Sequence, residues 1–162
     1  MKKLFTLIFI LITFLSFSQK IYNTRNSFGS VKDCMFVMDD GKIYKSLNTL
    51  GSKGNCIFIT EDDKMYKSLN SLGSKGDCIY IYEDGKIYES ANSLGSKGDC
   101  IYIYEDGKIY KSLNSIGSKG NCLYIIDDDS VYESTTTIGT KGDCILKTIG
   151  YVEVLTIITL LN

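Results

Sequence analysis

The sequence predicts an all-β fold in which 22-residue β-hairpin repeats close into a shallow symmetric barrel. Three observations carry this expectation. Six cysteines, Cys34, Cys56, Cys78, Cys100, Cys122 and Cys144, stand 22 residues apart, and an unbroken period marks stacked or ringed copies of one unit. Within each copy, apolar residues recur at alternate positions, as they do in a half-buried strand. An Asp-Gly pair falls between these apolar stretches, and it is among the strongest short-range hairpin signals because both residues accept positive φ.

The chain opens on Lys2 and Lys3, then runs apolar from Leu4 to Phe17 apart from Thr6, Thr13 and Ser16. A basic start, a short apolar stretch and the small-x-small exit Ser16-Phe17-Ser18 describe a secretory signal peptide over residues 1–18, cleaved after Ser18. The apolar run falls short of the ~20 residues that span a bilayer. Residues 19–162 are then a single repeat domain with no transmembrane span, exported to the periplasm, the outer surface or the medium.

The copy from Cys78 to Asp99, CIYIYEDGKIYESANSLGSKGD, shows the unit most clearly. Isoleucine-like residues form a column at Met35, Ile57, Ile79, Ile101, Leu123 and Ile145, and a second at Val37, Ile59, Ile81, Ile103 and Ile125. Residues two apart in a strand share a face, so these two columns are expected to form one inward stripe. A third column is Ile21, Ile43, Met65, Ile87, Ile109 and Val131, and a fourth is Phe28, Leu50, Leu72, Leu94, Ile116 and Ile138. All four are assigned to the core, where each buried aliphatic side chain stabilises by ~1.5–3 kcal/mol. Turns at Asp39-Asp40-Gly41, Glu83-Asp84-Gly85 and Glu105-Asp106-Gly107 place hairpins at about 34–46, 56–68, 78–90, 100–112 and 122–134. Asp63 and Asp129 stand in for the turn glycine in two copies, which aspartate tolerates at some cost. The Gly- and Ser-rich stretch from Asn92 to Asp99 is the connector to the next hairpin.

The two ends look like complementary halves. Lys20 to Phe28 resembles a second strand without its first, and Cys144 to Thr148 a first strand without its second. Pairing them closes a ring and removes two exposed edges. The alternative is an open β-solenoid, which needs polar caps. The apolar terminus from Val152 to Leu161 is no such cap, so it is expected to pack against the rest or plug it.

The string Asp-Gly-x-Ile-x-x-Ser-x-x-x-x-Leu-Gly, here Asp84 to Gly95, joins Ile21-Tyr22-Asn23-Thr24 and Thr148-Ile149-Gly150-Tyr151-Val152-Glu153 as a set. On these residues the chain resembles the secreted β-flower repeat proteins of bacteria. The resemblance implies a shallow barrel with hairpins radiating like petals, similar to the tubby C-terminal barrel but without its central helix. It also implies export, and no particular activity. The unit is longer here by a Lys-Gly-Asp-Cys stretch, which leaves petal number open. A weaker likeness is to MORN-type repeats, whose glycine after the tyrosine is replaced by Ser46, Ser68, Ser90 and Ser112.

Composition narrows the chemistry. The chain has no histidine, and its formal net charge is −1. That removes the usual general base and zinc ligand, and it gives no basic face for nucleic acid. Six cysteines in an exported chain invite disulfides. In a solenoid, equivalent cysteines stack ~4.8 Å apart and can bridge. In a ring with two strands per unit they lie ~9–10 Å apart and stay free thiols. Even spacing argues against a metal centre, so no metal or cofactor is expected.

Tyr22, Tyr44, Tyr66, Tyr88, Tyr110 and Tyr132 form one aromatic column. Phe36, Phe58, Tyr80, Tyr102 and Tyr124 form another, expected on the cysteine face opposite the isoleucines. Both read first as cross-strand packing. If one face binds a ligand, Tyr80, Tyr82, Tyr102 and Tyr104 mark it, since only the two central copies carry the extra tyrosine. Lys53, Lys75, Lys97, Lys119 and Lys141 form a periodic rim. The acidic runs Glu61-Asp62-Asp63 and Asp127-Asp128-Asp129 lack the order of a calcium loop and read as turn chemistry. The expected function is a non-catalytic structural or interaction module of the cell envelope. The alternative is a glycan- or lipid-headgroup-binding module using the tyrosine face and the lysine rim. The partner classes left standing are glycan, lipid headgroup and envelope protein.

Overall fold

The computed structural model describes residues 18–24 and 28–162, so all of the signal peptide except Ser18 lies outside the described residues. Short and long strands alternate. They are β1 (Gln19–Thr24), β2 (Val31–Asp39), β3 (Lys42–Ser46), β4 (Lys53–Glu61), β5 (Lys64–Ser68) and β6 (Lys75–Glu83). They continue as β7 (Lys86–Ser90), β8 (Lys97–Glu105), β9 (Lys108–Ser112), β10 (Lys119–Asp127), β11 (Ser130–Ser134) and β12 (Lys141–Ile149), and a helix α1 (Val154–Leu161) ends the chain.

Each strand pairs antiparallel with its sequence neighbours, and β1 pairs with β12 to close the barrel. At that seam Lys20 faces Ile149 and Ile21 faces Thr148, the same register that sets Lys42 opposite Asp39 and Ile43 opposite Met38. The chain ends therefore build a sixth hairpin that has no turn, and the solenoid alternative falls. Four of the five covalent hairpins turn as expected, and in the fifth Asp128 holds φ 50° while Asp129 does not take a positive φ. Asp84 and Gly85 hold φ of 50° and 74°, the paired positive values of a type I′ turn. Asp63 adopts φ 58° in place of glycine.

The faces differ from expectation for one local reason. Ile43 faces Phe58, yet the next residue, Tyr44, faces Cys56, so Ile57 is the extra residue of a β-bulge. The slip recurs between β1 and β2, β5 and β6, β7 and β8, β9 and β10, and β11 and β12. A bulge sets two residues against one and breaks strict alternation. Phe36, Phe58, Tyr80, Tyr102 and Tyr124 consequently pack inside, together with Met35, Ile57, Ile79 and Ile101. Ile59 and Ile81 lie outside with Cys56, Cys78 and Tyr66, as do Ile103 and Ile125 with Cys100 and Cys122. The two isoleucine columns thus do not form one stripe, and the second aromatic column does not share the cysteine face.

The third column is the true centre: Ile21, Ile43, Met65, Ile87 and Ile109 are all at 0% exposure. The fourth column, assigned to the core from sequence, is not there. Phe28, Leu50, Leu72, Leu94, Ile116 and Ile138 are between 74% and 92% exposed. They sit in loops docked through backbone groups. In one, Asn70 Oδ1 accepts from the N–H groups of Leu72 and Ser74 at 3.1 Å each. Lys42 Nζ donates to the Leu72 carbonyl at 3.2 Å, and the Cys56 N–H donates to Ser71 at 3.0 Å. With the backbone anchored, the side chain is left to water. The connectors are also shorter than expected. Lys97-Gly98-Asp99 opens β8, so the long strands begin three residues before the cysteine.

Candidate functional site

The apolar terminus is a plug. α1 buries Leu155, Thr156, Ile157, Ile158 and Thr159, and of these Leu155, Ile157 and Ile158 pack against the Ile21–Val131 column. At the end of the barrel that carries the tight turns, Thr60 Oγ1 donates to Glu153 Oε2 at 3.1 Å. At the loop end, Tyr102 Oη donates to Asn162 Oδ1 at 2.6 Å, and Asn162 Nδ2 caps the Ile158 carbonyl at 2.7 Å. The helix thus runs through the barrel and is held at both mouths.

This placement divides the four candidate tyrosines. Tyr80 and Tyr102 stand beside Asn162 at the loop end. Tyr82 and Tyr104 stand at the turn end, where they line a cavity of about 250 Å³ with Tyr151, Asp63, Asp128, Asp129 and Glu153. Burial, followed by the fields of Tyr104, Tyr151, Asp63 and Asp84, pushes the Tyr82 phenol above its usual range. Asp129 is held below the usual carboxylate range, first by the hydrogen bond from Lys147 Nζ at 2.7 Å and then by Ser130. Sequence reasoning missed Tyr151 because it follows the last repeat and breaks the period. It passed over Asp63 and Asp128 because their role in the turn already accounted for them.

The lysines are elsewhere. On the outer wall each bonds the carboxylate at the end of the preceding long strand: Lys53 to Asp39, Lys75 to Glu61, Lys97 to Glu83, Lys119 to Glu105 and Lys141 to Asp127. Each ammonium also lies over a ring of the first tyrosine column, 4.8 Å from the centroid of Tyr66 and 5.3 Å from that of Tyr88. The carboxylate hydrogen bond holds the Lys75, Lys97 and Lys141 ammonium groups above their usual range. The lysine rim and the candidate tyrosines therefore occupy opposite sides of the wall, and they cannot act as one face.

All six cysteines are unbridged and buried. The Sγ of Cys56 donates to the Phe58 carbonyl at 3.4 Å across the bulge, and Cys34, Cys78, Cys100, Cys122 and Cys144 repeat this bond. Burial pushes the Cys144 thiol up, away from the thiolate that nucleophilic chemistry uses. Among the described residues, no three of His, Cys, Asp and Glu converge where a metal ion could be held.

Six equivalent hairpins with a closed seam are now in view, and a family model described as 6-fold beta flower protein matches residues 21–158. The chain belongs to the β-flower family. No curated protein and no solved structure matches it. The matched span runs into α1 as far as Ile158, so this β-flower carries an axial helix, and the absence of one implied by resemblance is corrected. Family membership supports a structural repeat module. No helix among the described residues is long and apolar enough to cross a membrane.

Proposed function

We propose that this β-flower is an exported, non-catalytic interaction module that works at the cell envelope. The plugged interior is the observation that carries this reading. The residues that would otherwise line a ligand channel through the barrel are spent on α1, and a rigid self-filled ring offers its outer surfaces rather than a reaction chamber. Thiols bonded to their own strand and buried under loops support a packing role over a nucleophilic one. Export rests on the first 18 residues, whose basic start and short apolar run match a secretory signal.

The glycan- or lipid-headgroup alternative loses its lysine arm, because those ammonium groups are matched to carboxylates on the outer wall. What remains of it is the turn-end mouth with Tyr82 and Tyr104. The test of export is fractionation of bacteria expressing the full chain, with sequencing of the mature N-terminus. Recovery outside the inner membrane with Gln19 as first residue is the expected result. An uncleaved chain confined to the cytoplasm overturns the reading.

A further inference from the structure

We infer that the turn-end mouth of the barrel is a binding site for a small organic ammonium group, such as a quaternary or primary amine carried on a larger partner. This rests on reading that end as an interaction surface, and it names the chemistry the surface recognises.

Three features of the cavity converge. The first is its walls: Tyr82 and Tyr104 from neighbouring long strands and Tyr151 from the segment after β12. Tyr151 is 80% exposed, and Gly150, at φ 83°, makes the bend that brings it back over the mouth. All three rings border the same space. Aromatic rings grouped around a space attract cations through their negative faces.

The second feature is charge. Asp63, Asp128, Asp129 and Glu153 line the cavity, and among the described residues no lysine or arginine does. Lys147 neutralises Asp129, and the N-terminus of α1 contributes only about half a positive charge. The mouth is therefore net negative. A phosphate or sulfate group would meet carboxylates there, and Lys147, the lysine bonded to one of them, is already matched to Asp129, which disfavours an anionic headgroup. The third feature is size. A space of about 250 Å³ is below the ~300–1,000 Å³ typical of drug-sized ligands, so it fits one small headgroup better than a run of sugar rings.

The hydroxyls and rings of Tyr82 and Tyr104 come from the repeat, while Tyr151 and Glu153 come from the tail that starts the plug. The plug thus does two jobs. It fills the barrel, and it completes the cavity on the one side where no sixth covalent turn exists.

The experiment is titration of the mature protein with choline, tetramethylammonium and butylammonium by NMR or calorimetry. The controls are the neutral isostere 3,3-dimethylbutanol and N-acetylglucosamine. Saturable binding of at least one ammonium, with shifts confined to the mouth and at least tenfold weaker binding of the isostere, is expected. Tyr151→Ala, which removes an exposed ring outside the sheet, and Asp128→Asn, which keeps the turn, should each weaken binding about three- to tenfold. Circular dichroism of both variants should match the parent, which guards against a folding artefact. Equal binding of the isostere, no ammonium binding, or binding indifferent to both variants overturns the inference. N-acetylglucosamine binding that needs Tyr82 would sink the ammonium assignment while leaving the interaction module intact. Export of the chain is read separately, so its failure cannot be mistaken for either result.

Discussion

The cysteine that marks each repeat owes its place to a bulge and a glycine. Cys56 sits where β3 and β4 slip register, and its thiol bonds the carbonyl two residues on. The loop that follows lays Gly73 over it at φ 86°, where an added Cβ would come within 3.0 Å of the sulfur and 2.8 Å of the Lys42 side chain. Only a residue free to take positive φ without a side chain fits there. The neighbouring apolar columns then separate sharply in energetic weight. Ile87 is fully buried against α1, whereas Leu94 is 83% exposed. Replacing Ile87 by Ala should cost about 2–5 kcal/mol through lost burial and a cavity. Leu94→Ser should stay within about 0.5 kcal/mol. Denaturant unfolding of the two variants checks the contrast, and equal losses would contradict the assignment of faces. Which positions repeat was legible in the sequence, but which way they face was not. A bulge residue such as Ile57 carries no chemical mark that separates it from Ile59, and one inserted residue reverses every side chain beyond it.

At the scale of elements, the outer wall is a ladder in which each lysine ties one hairpin to the next through a carboxylate and a tyrosine ring. Such pairs are exposed, and each contributes little alone; their effect is on register and on pH response. The Lys75, Lys97 and Lys141 ammonium groups and the Tyr80, Tyr82, Tyr110 and Tyr124 phenols are all raised above their ordinary values, 10.5 for lysine and 10.0 for tyrosine. For a raised group the folded state holds its proton longer than the unfolded chain does. The stability it lends is complete below the unfolded value and disappears as pH climbs through the folded one. Stability should therefore hold through neutral pH and fall progressively above pH 10.0, with phenolate absorbance appearing in step with unfolding. A denaturation midpoint that is flat across that range would contradict the placement of these tyrosines, half-buried at Tyr80, Tyr82 and Tyr124 and buried at Tyr110. The helix was the element least legible in advance. Val154-Leu155-Thr156-Ile157-Ile158-Thr159 is rich in β-branched residues that favour strands. The closed sheet has no free edge to offer it, so its backbone groups must be satisfied within the segment, and only a helix does that.

The whole molecule depends on its seam. Five hairpins are covalent, and the sixth exists only because β1 finds β12 across nearly the full length of the chain. This contact joins the ends of the sequence, so its loop-closure cost is among the largest in the fold. Its return is the removal of the two edges that β2 and β12 would otherwise expose. It also supplies Ile21, fully buried, as the sixth member of the central column against which α1 packs. The complementary halves were legible because Ile21-Tyr22 repeats the Ile43-Tyr44 pattern. Closure was legible with them, since two half-hairpins leave only each other to pair with; the bulge that breaks alternation beside the seam was not. Deleting residues 19–24 from the mature chain should therefore do two things together. The melting temperature should fall well beyond the effect of Ile21→Ala, which removes one side chain and leaves the pairing in place. The open β2 and β12 edges should also recruit other copies, giving concentration-dependent oligomers in size-exclusion chromatography that Ile21→Ala does not show. A deleted chain that stays monomeric and melts with the single-residue variant would mean that side-chain burial at the seam, and not edge closure, is what the terminal strand contributes.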